Sequence, residues 1–191
     1  DMRKKIESSS KNKNLTAVTI KYFADGVIEG GTAAMLEPYS DDPCSHGMPV
    51  WQWPELSRAV AAFDKAGFQT HIHAIGDAGI RASLDAIEGA QKANPKWDRR
   101  PTIVHVQLLD PADLHRFREL GVIANFGPLW CRQDPMQAVS SAPRIGPERT
   151  GRQYQLRSLI NDGVRVAFGS DWPVTSEVVL EGLPVAVHRQ T

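Results

Sequence analysis

Four polar side chains stand within or directly after apolar stretches that are typical of buried strands. They are Lys21 in VTIKYFADG, His73 in QTHIHAIGD, His105 in TIVHVQ and Asp171 in VAFGSDWPV. Charged groups and imidazoles are uncommon in such stretches unless they are paired or bind a metal. Imidazole nitrogen and carboxylate oxygen are the usual ligands of catalytic zinc, which needs them to converge from separate elements. The pattern therefore makes a metal site one hypothesis for this chain.

Each of these residues also has an ordinary structural explanation, which the sequence leaves open. A histidine in a strand is more often a hydrogen-bonded core residue, and an aspartate after a strand usually caps a turn. Within HIH, His71 and His73 share one face because strand side chains alternate. His73 is nearer the strand end and is the better ligand candidate, whereas His71 would lie deeper and support it by hydrogen bonding.

The elements that position these residues follow a repeated pattern of helix, glycine and apolar strand. It occurs in DKAGFQTHIH, RELGVIANF and NDGVRVAFGS. Glycine fits the left-handed position that ends a helix, and the repeat is typical of βα units on a parallel sheet. We predict five strands, at residues 16–23, 68–73, 102–106, 122–126 and 164–168. Polar residues at the ends of such strands meet at one edge of the sheet.

Helices are predicted between the strands. One opens at Pro54 with Leu56, Val60 and Phe63 on one face, and a second is capped by Asp77. Two more are predicted at residues 111–120 and 152–161. Long loops at residues 24–53 and 127–149 are expected to shape a substrate pocket, since long loops in compact domains are often functional.

Composition limits the classes of partner. Lys+Arg and Asp+Glu both number 22 among 191 residues, so the net charge is zero. This argues against a nucleic-acid or membrane-surface partner, which usually needs a basic face. The chain has no apolar run of the roughly 18 residues that a membrane span needs. Two cysteines, Cys44 and Cys131, are expected to be thiols in a cytoplasmic protein. We expect one domain over residues 1–191, with residues 1–14 as a solvated lead-in.

The order of several motifs resembles the amidohydrolase superfamily. KYFADG and TAAMLEPY are followed by HAIGD, VHVQLLDPADLHRF, IGPER and FGSDWPV. They are most similar to its family 3 branch, the YtcJ-like metal-dependent hydrolases that include N-substituted formamide deformylase. The match runs from about residue 19 to 189. It implies an α/β fold, a (β/α)8 TIM barrel with a metal centre at its C-terminal face, of which this chain holds strands four to eight.

The resemblance also implies roles for the four polar residues. Lys21 matches a position where such enzymes can carry a carboxylated lysine that bridges two metals. His73 and His105 match metal-binding histidines. Asp171 matches the aspartate that touches the metal and takes a proton from the attacking water. The implied cofactor is a divalent metal, with zinc expected, as one or two ions, and the implied reaction is hydrolysis of an amide-type C–N bond.

One part of the family pattern is missing. No His-x-His pair precedes Lys21, and no segment corresponds to the first three strands. We therefore expect a partial barrel, a fragment of a larger enzyme that is inactive alone. Two alternatives stay open: a phosphoester or lactone hydrolase on the same scaffold, and an open α/β domain that binds without catalysis. An exposed sheet edge would favour a homo-oligomer.

The loops supply candidate contacts to a small-molecule substrate. They are Asp25, Trp130, Arg149 and Trp172. Ordinary packing is the alternative for each tryptophan, and a structural pairing near Glu148 is the alternative for Arg149.

Overall fold

The computed structural model describes residues 16–132 and 135–188, so the predicted lead-in at residues 1–14 lies outside the described residues. One parallel sheet carries five strands in chain order. They are β1 Thr19–Phe23, β2 Gln69–Ala74, β3 Thr102–His105, β4 Ile123–Phe126 and β5 Val166–Phe168. Each lies within about two residues of its predicted bounds, except that β1 starts three residues later.

Helices follow the strands in the described part of the chain. They are α1 Trp53–Lys65, α2 Asp77–Ala93, α3 Leu114–Glu119, α4 Pro135–Ser140, α5 Ala142–Gly151, α6 Leu156–Asn161 and α7 Gly182–His188. Short 3-10 turns stand at Pro111–Asp113, Pro128–Cys131 and Val179–Glu181. None of the helices that the structure describes is long and apolar enough to cross a membrane.

The sequential strand order separates this fold from doubly wound sheets. Because crossovers between parallel strands are right-handed, sequential order places the connecting helices on one side of the sheet. Tyr22, Ile72 and Ile103 face that side and are buried. On the opposite side, Phe23 is 52% exposed. The fold is thus a segment of a βα barrel whose inner face is open, as the sequence predicted; five strands of this kind do not close an eight-stranded barrel.

The three predicted helix–glycine–strand joints are confirmed by their backbone angles. Gly67, Gly121 and Gly163 have φ values of 80°, 64° and 83°. This left-handed conformation costs glycine little because it has no Cβ. It turns the chain directly from α1, α3 and α6 into the next strand.

Several predicted helix details are wrong. Phe63 is 42% exposed, so it is not in the core with Leu56 and Val60, although its ring lies 6.5 Å from that of Tyr22. Gly76, and not Asp77, occupies the N-cap of α2. The helix predicted at residues 152–161 begins only at Leu156.

The region predicted as a loop at residues 127–149 contains all of α4 and most of α5. Pro143 lies in the first turn of α5, where a missing N–H is tolerated. Gly146 has φ 73° and breaks the helix before Pro147. The helix therefore accommodates Pro143 at its start and Gly146 at its kink.

The other predicted loop, residues 24–53, is one residue too long, because Trp53 begins α1. Residues 24–52 hold no helix or strand but are well packed. We call these residues the cap. Ile28, Met35 and Tyr39 of the cap are buried in a second, small core with Ile145 of α5 and with Ile75 and Leu108, which follow β2 and β3. Burial of apolar side chains therefore fixes the cap above the ends of the strands.

The two cysteines are not joined in a disulfide. Cys44 is exposed in the cap. Cys131 is buried, and its thiol donates to the Gly127 carbonyl at 3.6 Å. The expectation of two thiols agrees with this arrangement.

Replacing Asp64 should destabilise the fold strongly. Its carboxylate is 4% exposed and accepts from Arg99 Nε at 2.7 Å, and also from Asn94 and Trp97. In Asp64→Ala the buried guanidinium loses its partner, which costs about 3–5 kcal/mol of unfolding free energy. Urea unfolding of the purified chain measures this.

A matched control is Glu55→Ala in the same helix. Glu55 pairs with Arg58 at 3.7 Å, and both side chains are more than half exposed. Exposed pairs contribute about 0–1 kcal/mol. Equal losses in the two variants would contradict the structural role assigned to Asp64.

Candidate functional site

His73 and His105 come together at the carboxyl ends of β2 and β3. Their ring centroids are 4.6 Å apart, and both residues are buried. Parallel pairing sets Ala74 of β2 opposite His105 of β3, which brings the two side chains to the same level of the sheet. This edge is where parallel α/β sheets carry their chemistry.

An unusual backbone conformation accompanies this pairing. Strict alternation along β3 would place His105 on the face of Ile103, away from His73. His105 and the next residue, Val106, have φ values of 79° and 46°. Such angles are uncommon for residues with a Cβ and cluster at functional sites. The end of β3 turns at His105, and the ring lies against His73.

A backbone carbonyl orients the ring of His73. Its Nε2 lies 3.0 Å from the Gly26 carbonyl oxygen, which can only accept. Nε2 therefore carries the proton, and Nδ1 holds the lone pair. Metal-binding histidines commonly donate their second N–H to a carbonyl in this way.

Burial keeps the imidazoles of the site neutral. It lowers the pKa of His105 to about 3, and the neighbouring side chains of His73 and Lys21 act in the same direction. It lowers the pKa of His71 to about 4. The pKa of His73 is also lowered by burial, although the bond to Gly26 opposes this. Neutral imidazole is the form that binds metal.

Lys21 and Asp171 lie near this pair. Lys21 stands opposite His71 in the β1–β2 register, and its Nζ is 5.5 Å from the Phe23 ring centroid. Burial lowers the pKa of Lys21, and the negative charge of Asp171 opposes the shift. Asp171 is exposed after β5 and has φ 55°. The charges of Lys21 and Asp171 both act on His73, and His73 and Lys21 both act on His105.

The donor set fits a divalent metal in part. Two neutral imidazoles are in contact, and one presents a lone pair fixed by its hydrogen bond. Within residues 16–132 and 135–188, no three His, Cys, Asp or Glu side chains are close enough to hold a metal. Metal binding by Lys21, His73, His105 and Asp171 therefore stays a prediction.

Asp25 has a structural setting. It is 2% exposed, and its carboxylate accepts from the amides of Ala34 at 2.9 Å, Ile75 at 3.0 Å and Gly76 at 2.8 Å. Burial raises its pKa to about 7 despite these bonds. These contacts give Asp25 a role in joining the cap to the turn after β2; a substrate contact would need this carboxylate to be uncovered.

The two candidate tryptophans differ in position. The centroid of the Trp130 ring lies 5.3 Å from that of His105. The Phe23 ring lies 5.0 Å from that of His73, so the rings of Phe23, His73, His105 and Trp130 form a row. The indole Nε1 of Trp130 is buried without a hydrogen-bond partner among the described residues. Trp172 is 66% exposed beside Asp171. Substrate contact by either stays a prediction, and Trp172 is the accessible one.

Arg149 is engaged by backbone carbonyls of the cap. It donates to Glu37, Pro38 and Ser40, and to Ile145 of its own helix. The structure therefore does not bring its guanidinium to the histidine pair. These contacts support a structural role for Arg149. Its partners lie in the cap, however, and not near Glu148 as the alternative had expected.

Two contributors were missed in the sequence. The Gly26 carbonyl sets the tautomer of His73, and Phe23 packs against that ring. A backbone carbonyl leaves no signal in residue type. Phe23 could have been found, because it stands two residues after Lys21 and therefore on the same face of β1.

Comparisons with known proteins place this arrangement in a family. The family model described as "Amidohydrolase family" matches residues 1–191. Protein LONG AFTER FAR-RED 3 of Arabidopsis thaliana is 37% identical over 171 residues, covering 89% of this chain and 29% of that protein. "Putative amidohydrolase YtcJ" of Bacillus subtilis (strain 168) is 32% identical over 172 residues, covering 90% and 31%.

A solved structure shows the same fold. The crystal structure of an uncharacterized metal-dependent hydrolase from Pyrococcus furiosus matches with a TM-score of 0.79 at 25% identity, covering 96% of this chain and 38% of that one. The chain spans 29% and 31% of the two curated relatives, less than a third of their length. These matches confirm the resemblance drawn from the motifs: the chain belongs to the amidohydrolase family.

Proposed function

We propose that the protein containing this chain is a metal-dependent hydrolase of an amide-type C–N bond. The observation that carries the proposal is the neutral His73–His105 pair at the carboxyl ends of β2 and β3, with the His73 tautomer set by Gly26. Family membership and the likeness to the metal-dependent hydrolase of Pyrococcus furiosus support it.

His73, His105, Asp171 and a carboxylated Lys21 would hold the metal, with further donors from the rest of the protein. A bound divalent cation supplies a water whose pKa falls from about 16 to about 7. The carboxylate of Asp171 accepts a proton as water oxygen attacks the carbonyl carbon. It then delivers this proton to the nitrogen as the C–N bond breaks, because an amine leaves far more readily than an amide anion.

The carboxyl end of the sheet, where the candidate ligands lie, would receive the substrate. Phe23 and Trp172 are large, exposed apolar side chains next to the candidate ligands. Aromatic side chains of this kind favour apolar or aromatic groups. We therefore propose a small-molecule substrate that carries an apolar group on one side of the scissile bond.

The test uses the full-length protein, purified without chelator. Elemental analysis should find about one or two divalent ions per chain, as expected of mononuclear or dinuclear hydrolase sites. A panel of N-formyl and N-acyl amines should be turned over, and removal of the metal should abolish turnover. Faster turnover of a lactone or a phosphoester than of the amides would show that the enzyme hydrolyses that bond and not an amide-type C–N bond. A metal-free protein without turnover on any of these would refute the proposal and favour a binding domain.

A further inference from the structure

The cap is held from two sides, and Arg149 of α5 is the principal contact on one of them. Its Nη1 donates to the Glu37 carbonyl at 3.1 Å, and its Nη2 donates to the Pro38 carbonyl at 2.7 Å and to Ser40 Oγ at 3.0 Å. Its Nε donates to the Ile145 carbonyl at 2.8 Å, which fixes the side chain on its own helix. All three guanidinium nitrogens are therefore committed.

The turn between β2 and α2 holds the cap from the other side. The Ala34 carbonyl accepts from the amides of Ala78 at 3.1 Å and Gly79 at 3.3 Å, and the Leu36 amide donates to Asp77 at 2.8 Å. A Cβ at Gly76 would lie 2.0 Å from the Ala34 carbonyl oxygen, so this close approach requires glycine. Residues 34–40 are thus clamped between Arg149 and the turn that follows His73.

The same piece of cap is continuous with the group that orients His73. Asp25 joins Ala34 to Gly76 through its carboxylate, and the next residue, Gly26, supplies the carbonyl bonded to His73. Tyr39 Oη donates to the Ala33 carbonyl at 2.9 Å, which ties the segment gripped by Arg149 back to this end. A displaced cap would therefore disturb the approach to the histidine pair.

We propose that Arg149 is a positioning residue that holds the cap in place beside His73 and does not itself touch substrate. A planar guanidinium suits this task because its five N–H donors form a rigid fork that reaches acceptors several ångströms apart, whereas an ammonium group has three donors on one nitrogen. Without the Arg149 side chain, the position of the cap seen in the structure becomes one of several populated positions. Substrate then binds only to the fraction of molecules whose cap is in that position. The kinetic part of this inference rests on the proposed function.

The experiment compares Arg149→Ala and Arg149→Lys with wild type in the full-length protein, by hydrogen exchange and by steady-state kinetics. We expect amide exchange of residues 34–40 to rise by about tenfold or more in Arg149→Ala. KM should rise by about tenfold with kcat within about threefold, since only the binding-competent fraction changes. For Arg149→Lys, both the amide exchange of residues 34–40 and KM should lie between those of wild type and those of Arg149→Ala.

A matched control is Arg144→Ala on the same helix. Arg144 pairs with Asp41 of the cap at 3.3 Å, with both side chains about one-third exposed. Its carbonyl, which accepts from the Ser40 amide, is retained in the variant. Exchange and KM should stay within about twofold of wild type, because exposed pairs contribute little.

Three results would overturn the inference. Unchanged exchange at residues 34–40 in Arg149→Ala would show that Arg149 does not hold the cap. Faster exchange with unaltered KM and kcat would show that the cap does not position the site. Altered kinetics with unchanged exchange would make Arg149 a substrate contact. If wild type turned over no substrate, the proposed function would fail. The amide exchange of residues 34–40 alone would then decide whether Arg149 holds the cap.

Discussion

Asp171→Asn in the full-length protein is expected to lower kcat by about 10²–10⁴-fold, the range typical of a lost general acid–base group. Asparagine preserves the size of the side chain but cannot take a proton. Asp171 is exposed at the end of β5 and interacts electrostatically with Lys21 and His73, so it borders the site on the solvent side. Steady-state kinetics with metal analysis of the same samples measure the effect.

A suitable control is Asp98→Asn. Asp98 is an exposed carboxylate in the loop before β3, at the opposite end of the sheet, where it pairs with Arg100. The activity of Asp98→Asn should stay within about twofold of wild type, since surface changes away from a site have small effects. A kcat for Asp171→Asn within threefold of wild type would remove Asp171 from the proposed reaction. If Asp171→Asn lost metal as well as kcat, the main role of Asp171 would be metal binding.

Lys21→Ala is expected to lower the metal affinity by about tenfold or more, and the metal content of the purified protein with it, because removing even a group that supports a metal ligand costs about 10–100-fold in affinity. A neutral amine can add carbon dioxide and become an anionic ligand with two oxygens. Burial lowers the pKa of Lys21, which raises the fraction of neutral amine available for this reaction. Short-chain carboxylic acids should restore part of the metal content and activity, because they supply the missing carboxylate.

Lys92→Ala provides the comparison. Lys92 lies on the exposed side of α2, where it pairs with Glu88. Neither its metal content nor its response to added carboxylic acids should differ from wild type. Full metal content in Lys21→Ala would rule out a bridging role for Lys21. Metal loss without recovery by carboxylic acids would leave it as a ligand or structural lysine that is not carboxylated.

Much of the fold could be predicted because its signals are local. Apolar runs of strand length, helical spacing and the single glycines at positions 67, 121 and 163 are each contained in a few residues. Prediction failed where tertiary packing overrode the local signal. Phe63 follows the helical apolar pattern, yet the sheet edge leaves it partly uncovered. Residues 142–149 are predicted as loop, yet they belong to α5, whose Ile145 packs into the small core beneath the cap.

The candidate site divides in the same way. Lys21, His73, His105 and Asp171 could be selected because polar residues at the ends of apolar strands are conspicuous in the sequence. The roles of Asp25 and Arg149 could not, because their partners are remote: the Asp25 bonds to Ile75 and Gly76 span 50 and 51 residues, and the Arg149 bonds to the cap span 109 to 112.

The sequence by itself determined the parallel βα architecture and the identity of the candidate ligands. Only the tertiary structure decided that His105 turns toward His73, that Gly26 sets the His73 tautomer, and that Arg149 grips the cap. The reason is physical. Periodicity and glycine placement act between neighbouring residues, whereas ring contacts and hydrogen bonds to remote backbone groups depend on how the packed chain brings distant segments together.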